Sequence, residues 1–210
     1  MITITALRPS KRDSERIYID FDSRESIRST ASVITELALY VGRELDEEEY
    51  AELLSQSKRS GAYAAAARVI SHRPVSKNEL VDKLRQKGED LALAEEAADR
   101  LEELGAIDDG QYAVTVARHY AARGYGPGRV KSELSRRRVP REYWDEAIAA
   151  MPQDDEAIYA LLKKSMRGEA PDRKSMKRAG DALYRRGFSW EQISAACSRY
   201  EQEYGENTNT

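Results

Sequence analysis

The apolar positions of this chain follow two periods. Over residues 1–44 they alternate: Ile2, Ile4 and Ala6 against Thr3, Thr5 and Leu7, then Ile17, Ile19 and Phe21 against Tyr18, Asp20 and Asp22. Period-two alternation marks strands with one covered face. The polar stretch from Pro9 to Arg16 reads as a hairpin loop. Segments 24–32 and 33–41 fit strand or helix. From Asp46 onward apolar spacing changes to three and four. Asp46 caps, Glu49 reaches back and an acidic first turn complements the helix dipole, so residues 46–56 are expected to be helical, with a boundary at 57–61.

Beyond that boundary one pattern recurs three times. Tyr-Ala occurs at 63–64, 112–113 and 159–160. Leu84, Leu134 and Leu183 follow, each with a short basic run behind it, and then Ala97, Ala147 and Ala196. The Leu anchors are 50 and 49 residues apart, and so are the Ala anchors. Two anchors keeping one spacing imply a single supersecondary unit used three times.

Each unit reads as three helices. In the first, a helix over 62–71 is interrupted by Pro74. Ser76 with Glu79 forms a capping box, Leu80, Val81 and Leu84 make the buried stripe of the second helix, and Gly88 stops it. Ala94, Ala97, Ala98, Leu101 and Leu104 line the third helix, which ends at Gly105. In the second unit a helix over 109–123 ends at Gly124, and Gly126-Pro127-Gly128 opens the next, carrying Val130 and Leu134. Pro140 sits in a first turn ahead of Tyr143, Trp144, Ala147, Ile148 and Met151. The third unit starts near Asp154 and turns at Gly168 and Pro171. Ser189 with Gln192 forms a capping box there, and Trp190, Ile193, Ala196 and Tyr200 supply its last apolar face. The expected fold is mainly α: a tandem, elongated and curved array of three three-helix repeats (59–107, 108–152, 153–204). A small β-rich segment with one short helix (1–58) precedes it and a disordered tail (205–210) follows.

Charge sharpens this picture. The 210 residues carry a net charge of -3, but unevenly. Residues 1–60 have 9 basic and 12 acidic side chains, and residues 61–110 have 7 and 11. Residues 111–141 have 8 basic and 1 acidic, and residues 163–186 have 9 and 3. A basic C-terminal half is joined to an acidic N-terminal half. One cysteine, Cys197, excludes an internal disulfide framework and suggests a reducing compartment. No apolar run reaches signal-peptide or membrane-span length, so a cytoplasmic protein without membrane contact is expected.

The residues offer little for catalysis. Gly124-Tyr125-Gly126-Pro127-Gly128 lacks the Lys-Ser/Thr of a phosphate loop and reads as a tight helix–helix turn. His72 and His119 have no ligand-spaced partner, so neither metal nor cofactor is expected. Asp108-Asp109 and Asp154-Asp155 precede helices, where capping explains them. The positive signal is a basic constellation: Arg118, Arg123, Arg129, Lys131, Arg136, Arg137 and Arg138 in one unit; Lys163, Lys164, Lys174, Lys177, Arg178, Arg185 and Arg186 in the next. Stacked units would merge these into a strip following a phosphate backbone. Tyr112, Tyr120 and Tyr125 are interleaved as candidates for stacking on unpaired bases, with a core or interface role favoured for Tyr112 because its equivalents recur in all three units.

The stretch from Ser76 to Ala106, the junction Asp108-Asp109 followed by Tyr112-Ala113, and the Arg-rich run from Arg118 to Leu134 after and around a Gly-rich turn together resemble the RecX family of regulators of the RecA recombinase. The resemblance covers about residues 60–200, and Tyr18-Ile19-Asp20 looks like part of the β-rich extension of longer members. It implies a non-enzymatic protein that binds the RecA–DNA filament in its groove and limits filament growth, ATP hydrolysis and strand exchange; a monomer is expected. The implied partners are RecA and DNA, single-stranded first and double-stranded second, without strong sequence preference. Two other readings compete: a helix-turn-helix-like transcription regulator, which requires sequence-specific duplex binding, and a protein-interaction scaffold indifferent to the arginines. A metal-dependent nuclease built on Asp108 or Asp109 ranks last.

Overall fold

The computed structural model describes residues 1–11, 16–152 and 154–208. The chain divides into two compact units, Met1–Ile107 and Asp108–Thr210. The first contains strands β1 (Ile2–Pro9), β2 (Arg16–Phe21), β3 (Ile27–Thr30) and β4 (Glu44–Leu45). Its helices are α1 (Ala31–Glu36), α2 (Glu47–His72), α3 (Lys77–Gln86) and α4 (Leu91–Glu103). The strands form one antiparallel sheet in the order β3-β2-β1-β4. The expected hairpin joins β1 to β2, pairing Ile4 with Phe21 and Pro9 with Ile17; residues 12–15 of its loop lie outside the described residues. A bulge between Ile4 and Ala6 shifts the alternation. Ile2, Ile4, Ile19 and Phe21 are therefore buried, while Ala6 and Ile17 are only half-buried.

Helix α2 corrects the expected boundary at 57–61. The capping box forms as read, Asp46 accepting from the Glu49 N–H at 2.8 Å and Glu49 from the Asp46 N–H at 3.0 Å. The helix then runs unbroken to His72, so the limit placed between residues 58 and 59 crosses a helix interior. Leu53 packs in the core under the sheet, and Ala62, Ala65, Ala66 and Val69 pack in the core of the first repeat. Between these cores the buried Ser57 bonds Ser29 of β3 at 2.8 Å, and the Thr30 and Ser60 hydroxyls meet at 2.6 Å. Those serines look like a linker in the sequence because their partners are hydroxyls on a strand.

The second unit contains α5 (Asp109–Ala122), α6 (Pro127–Arg136), a 3-10 turn (Arg141–Tyr143), α7 (Trp144–Ala149), α8 (Asp155–Met166), α9 (Arg173–Arg185) and α10 (Trp190–Thr208). The three-repeat plan holds: Leu84, Leu134 and Leu183 are at most 1% exposed, Ala97, Ala147 and Ala196 are buried, and each set sits in its own apolar core. Asp90, Asp108, Asp154 and Asp172 cap helices with their carboxylates. Four residues after each Leu anchor the backbone turns left-handed, at Gly88 (φ 92°), Arg138 (φ 59°) and Gly187 (φ 91°). In each copy the next N–H donates back to the anchor carbonyl: Glu89 to Leu84, Val139 to Leu134 and Phe188 to Leu183, at 3.1, 3.0 and 3.3 Å. This is the Schellman closure of a helix C-terminus.

Several expectations are revised. The Tyr-Ala pairs are not equivalent: Tyr63 is 36% exposed, whereas Tyr112 and Tyr159 are buried. The first helix of repeat one presents alanines to its core, so its Tyr turns outward. Ser76 does accept from the Glu79 N–H, at 3.1 Å, but the Glu79 carboxylate pairs with Arg73. Leu104 is exposed, because Leu101 already closes that core and Leu104 is the C-cap. Trp190, assigned to an apolar face, is 63% exposed. The tail expected at 205–210 is helical through Thr208, residues 209–210 lying outside the described residues. Tyr204 packs on the third core and Glu203 is held by Tyr159, Lys163 and Arg199, which carries the helix past Tyr200.

Candidate nucleic-acid interface

Repeats two and three meet backbone to backbone. The Gly126 N–H donates to the Arg186 carbonyl and the Gly128 N–H to the Gly187 carbonyl, both at 2.9 Å. A Cβ on Gly126 would lie 2.6 Å from the Gly187 carbonyl carbon, and one on Gly187 would lie 2.2 Å from the Arg129 nitrogen. Neither position admits a side chain. The turn read as Gly-rich thus opens α6 with Pro127 in its first turn, and also seats α6 on the α9–α10 connection. Arg186 fastens the joint, donating to the carbonyls of Gly124 at 3.1 Å and Arg123 at 3.4 Å and lying over the Tyr125 ring at 5.6 Å.

This joint sorts the basic residues. Arg129, Lys131 and Arg185 line one cleft of about 450 Å³, together with Tyr184 and Phe188, and no carboxylate lines it. None of the three is in an ion pair among the described residues. Lys174 and Lys177 are exposed on α9, the helix that carries Arg185, as are Arg118 on α5 and Lys164 on α8. With a rise of about 1.5 Å per residue, Lys174 stands about 16 Å along the axis from Arg185.

Other cations are engaged within the fold. Glu133, 4% exposed, accepts from Arg136 at 2.6 and 3.0 Å and from Arg137 at 2.6 Å. Arg136 and, beyond its own desolvation, Arg137 hold that carboxyl down to about 2. Arg137 also donates to the Tyr112 hydroxyl at 2.6 Å, which joins α6 to α5. Lys163 reaches Glu203 at 3.4 Å, and Arg178 pairs with Glu169 at 2.7 Å. Burial, with the Glu203 carboxylate beside it, pushes the Tyr159 hydroxyl up to about 12. Arg138 occupies the left-handed cap, and Arg123 approaches His119 at 3.5 Å. Of the interleaved tyrosines, Tyr112 is core, while Tyr125 has Arg129 and Arg186 over its ring, at 5.9 and 5.6 Å, and packs on Tyr120.

Sequence reasoning missed two aromatics on this side. Tyr184 and Trp190 are 56% and 63% exposed and stack on each other, centroids 5.5 Å apart at 24°. In the sequence Tyr184 stands only in the basic run behind Leu183. Ser189, on the cleft wall, caps α10 in a reciprocal box with Gln192, at 3.2 and 3.1 Å, which fixes the turn that holds Trp190.

Comparisons with known proteins follow the same three-part division. Models of the first, second and third three-helix domains of RecX match residues 62–101, 108–148 and 153–197. The regulatory protein RecX of Bacillus subtilis is 27% identical over 212 residues, covering 98% of this chain and 80% of its own. Those of Halorhodospira halophila and Vibrio parahaemolyticus are 30% and 35% identical, covering 66% and 64% of this chain and 88% of their own. A crystal structure of regulatory protein RecX superposes with a TM-score of 0.73 at 22% identity, over 92% of this chain and 98% of that one. RecX from Lactobacillus salivarius gives 0.63 at 24%, over 70% and 97%. Among the described residues no group of three His, Cys, Asp or Glu side chains is placed to hold a metal ion, and no helix is long and apolar enough to cross a membrane.

Proposed function

Because the chain belongs to the RecX family of regulatory proteins, we propose that it is a non-enzymatic regulator that binds RecA on DNA and limits filament growth, ATP hydrolysis and strand exchange. The observation that carries this reading is the carboxylate-free cleft at the joint of repeats two and three, where Arg129, Lys131 and Arg185 converge without ion-pair partners among the described residues. Uncompensated cations lining one cleft attract a phosphate backbone and release its counterions. Exposed Lys174 and Lys177 extend the same charge along α9. The acidic first unit, with 16 basic and 21 acidic residues over 1–107, suits contact with basic protein surface instead of DNA.

The test is ATP hydrolysis by RecA on single-stranded DNA with the purified protein added. Hydrolysis should fall at substoichiometric to stoichiometric ratios, and more steeply at low salt. An unchanged rate at a one-to-one ratio removes this reading.

A further inference from the structure

We propose that the joint between repeats two and three is a binding site for single-stranded DNA, in which an unpaired base stacks on the outer face of the Tyr184–Trp190 pair while the flanking phosphates lie on Arg129, Lys131 and Arg185. The inference rests on the preceding reading only for the identity of the polyanion as DNA. Its own support is the coincidence of three features at one place.

The first is the cleft, cationic and without a lining carboxylate. The second is the aromatic pair. Large apolar rings more than half exposed are costly to leave in water, and two stacked on each other form a preorganised platform. Tyr184 itself lines the cleft, and its neighbour Arg185 supplies one of the cations. A helix or a folded acidic surface would meet the charge here but has no reason to need the rings. An unpaired nucleotide needs both, because every base has a π-face and every linkage a phosphate. The third is rigidity. Gly126 and Gly187 press their backbones together and the Ser189–Gln192 box fixes the turn before Trp190, so cations and rings keep their spacing in the absence of ligand. In a duplex the base faces are already stacked, which makes the platform selective for single strands.

The experiment titrates the full chain with dye-labelled oligo(dT), an abasic oligomer of equal length and a duplex, following the dye's anisotropy for affinity and tryptophan emission for stacking. The other tryptophan, Trp144, is half-buried and donates its indole N–H to the Val139 carbonyl, so it serves as an internal constant. Oligo(dT) should quench emission in the wild type and not in Trp190→Leu, and the abasic oligomer and the duplex should leave it unquenched. Trp190→Leu and Tyr184→Ala should each weaken oligo(dT) binding about tenfold with the salt dependence unchanged. Trp190→Phe should recover most of that loss. Joint replacement of Arg129, Lys131 and Arg185 by Gln should instead flatten the salt dependence. Circular dichroism confirms that each variant is folded. Equal oligo(dT) affinity in the wild type and Trp190→Leu overturns the proposal, as does equal affinity for oligo(dT) and the abasic strand. If the wild type still suppresses RecA hydrolysis while failing to bind oligo(dT), the cleft assignment falls and the filament reading stands. If it binds and quenches as described without touching RecA, the reverse holds.

Discussion

Helices α3 and α9 are the same element in repeats one and three, and both stop on a glycine four residues past the Leu anchor, at φ 92° and 91°. Beyond that cap they differ. A Cβ on Gly88 would meet nothing within 4 Å, whereas one on Gly187 would collide with Arg129. The flanking charges differ as well, although Arg85 and Lys87 at the end of α3 are exposed like Arg185 at the end of α9. In repeat one, Lys77 is held between Asp99 at 2.7 Å and Glu102 at 2.6 Å, and Arg100 pairs with Glu103 at 3.0 Å. In repeat three, Lys174, Lys177 and Arg185 are exposed with no ion pair among the described residues. The cap is common because every Leu-centred core requires its second helix to stop there. What projects beyond the cap is free to specialise, as a surface turn in one copy and as the joint of a cationic cleft in the other.

The sharpest way to break this comparison is to make the same substitution in both copies. Gly88→Ala carries only the conformational cost of a left-handed non-glycine residue, about 1 kcal/mol. Gly187→Ala adds the collision with Arg129, which the neighbouring backbone must absorb, for a total of about 3 kcal/mol or more. Urea unfolding of the two variants followed by circular dichroism measures the difference. Equal losses would mean that the joint yields and that the cleft lacks the stiffness assigned to it.

Next in size is Arg137→Ala. It removes the link from α6 to the buried Tyr112 hydroxyl and one of the two arginines on Glu133, at a cost of about 2 kcal/mol. The same carboxylate sets an acid dependence. Its pKa in the folded chain, about 2, lies below the ordinary 4.5, so its stabilisation is fully present above about pH 4.5 and is lost as pH falls toward 2. Glu133→Gln should flatten stability against pH in that window, as read by thermal melts between pH 5 and 2. An unchanged slope would place the acid sensitivity elsewhere.

Charge reversal tests the functional side. Arg129, Lys131 and Arg185 changed together to Glu should raise the concentration needed for half-maximal suppression of RecA hydrolysis about tenfold, equivalent to about 1.4 kcal/mol. Arg85 and Lys87, the matching run behind the Leu anchor of repeat one, should change it less than twofold when reversed. Equal effects would shift the contact from the cleft to overall charge.

The repeats were legible because Leu and Ala anchors are set by packing, and packing tolerates little variation in spacing. Their Schellman caps were partly legible, through Gly88, while Arg138 hid the second. Helix α2 was misread at 57–61 because periodicity rules treat serine as solvent-facing, and here Ser57 and Ser60 bond hydroxyls on β3. The cleft was half visible. Its cations stood out by number, but the contact between Gly126 and Gly187 spans 61 residues and has no local signature. Trp190 follows helical spacing closely enough to pass for core, Tyr184 is hidden in the basic run behind Leu183, and only the packed core shows that Ile193, Ala196 and Leu183 fill it without them.

The smallest expected effect is a gain. Arg138 stands where the other two copies place glycine, at φ 59°, a conformation costing an ordinary side chain about 1 kcal/mol. Its closing bond is the same, the Val139 N–H reaching the Leu134 carbonyl at 3.0 Å, so the turn itself needs no arginine. Arg138→Gly relieves the strain but also loosens the unfolded chain, which leaves a net gain of about 0.5 kcal/mol. Urea unfolding of the variant measures it, and DNA binding on the same sample separates fold from function. A more stable protein that binds more weakly would show that repeat two accepts strain to keep a cation on its DNA-binding surface. A protein more stable and equally tight would leave Arg138 outside the interface and narrow the cationic surface to the joint with repeat three.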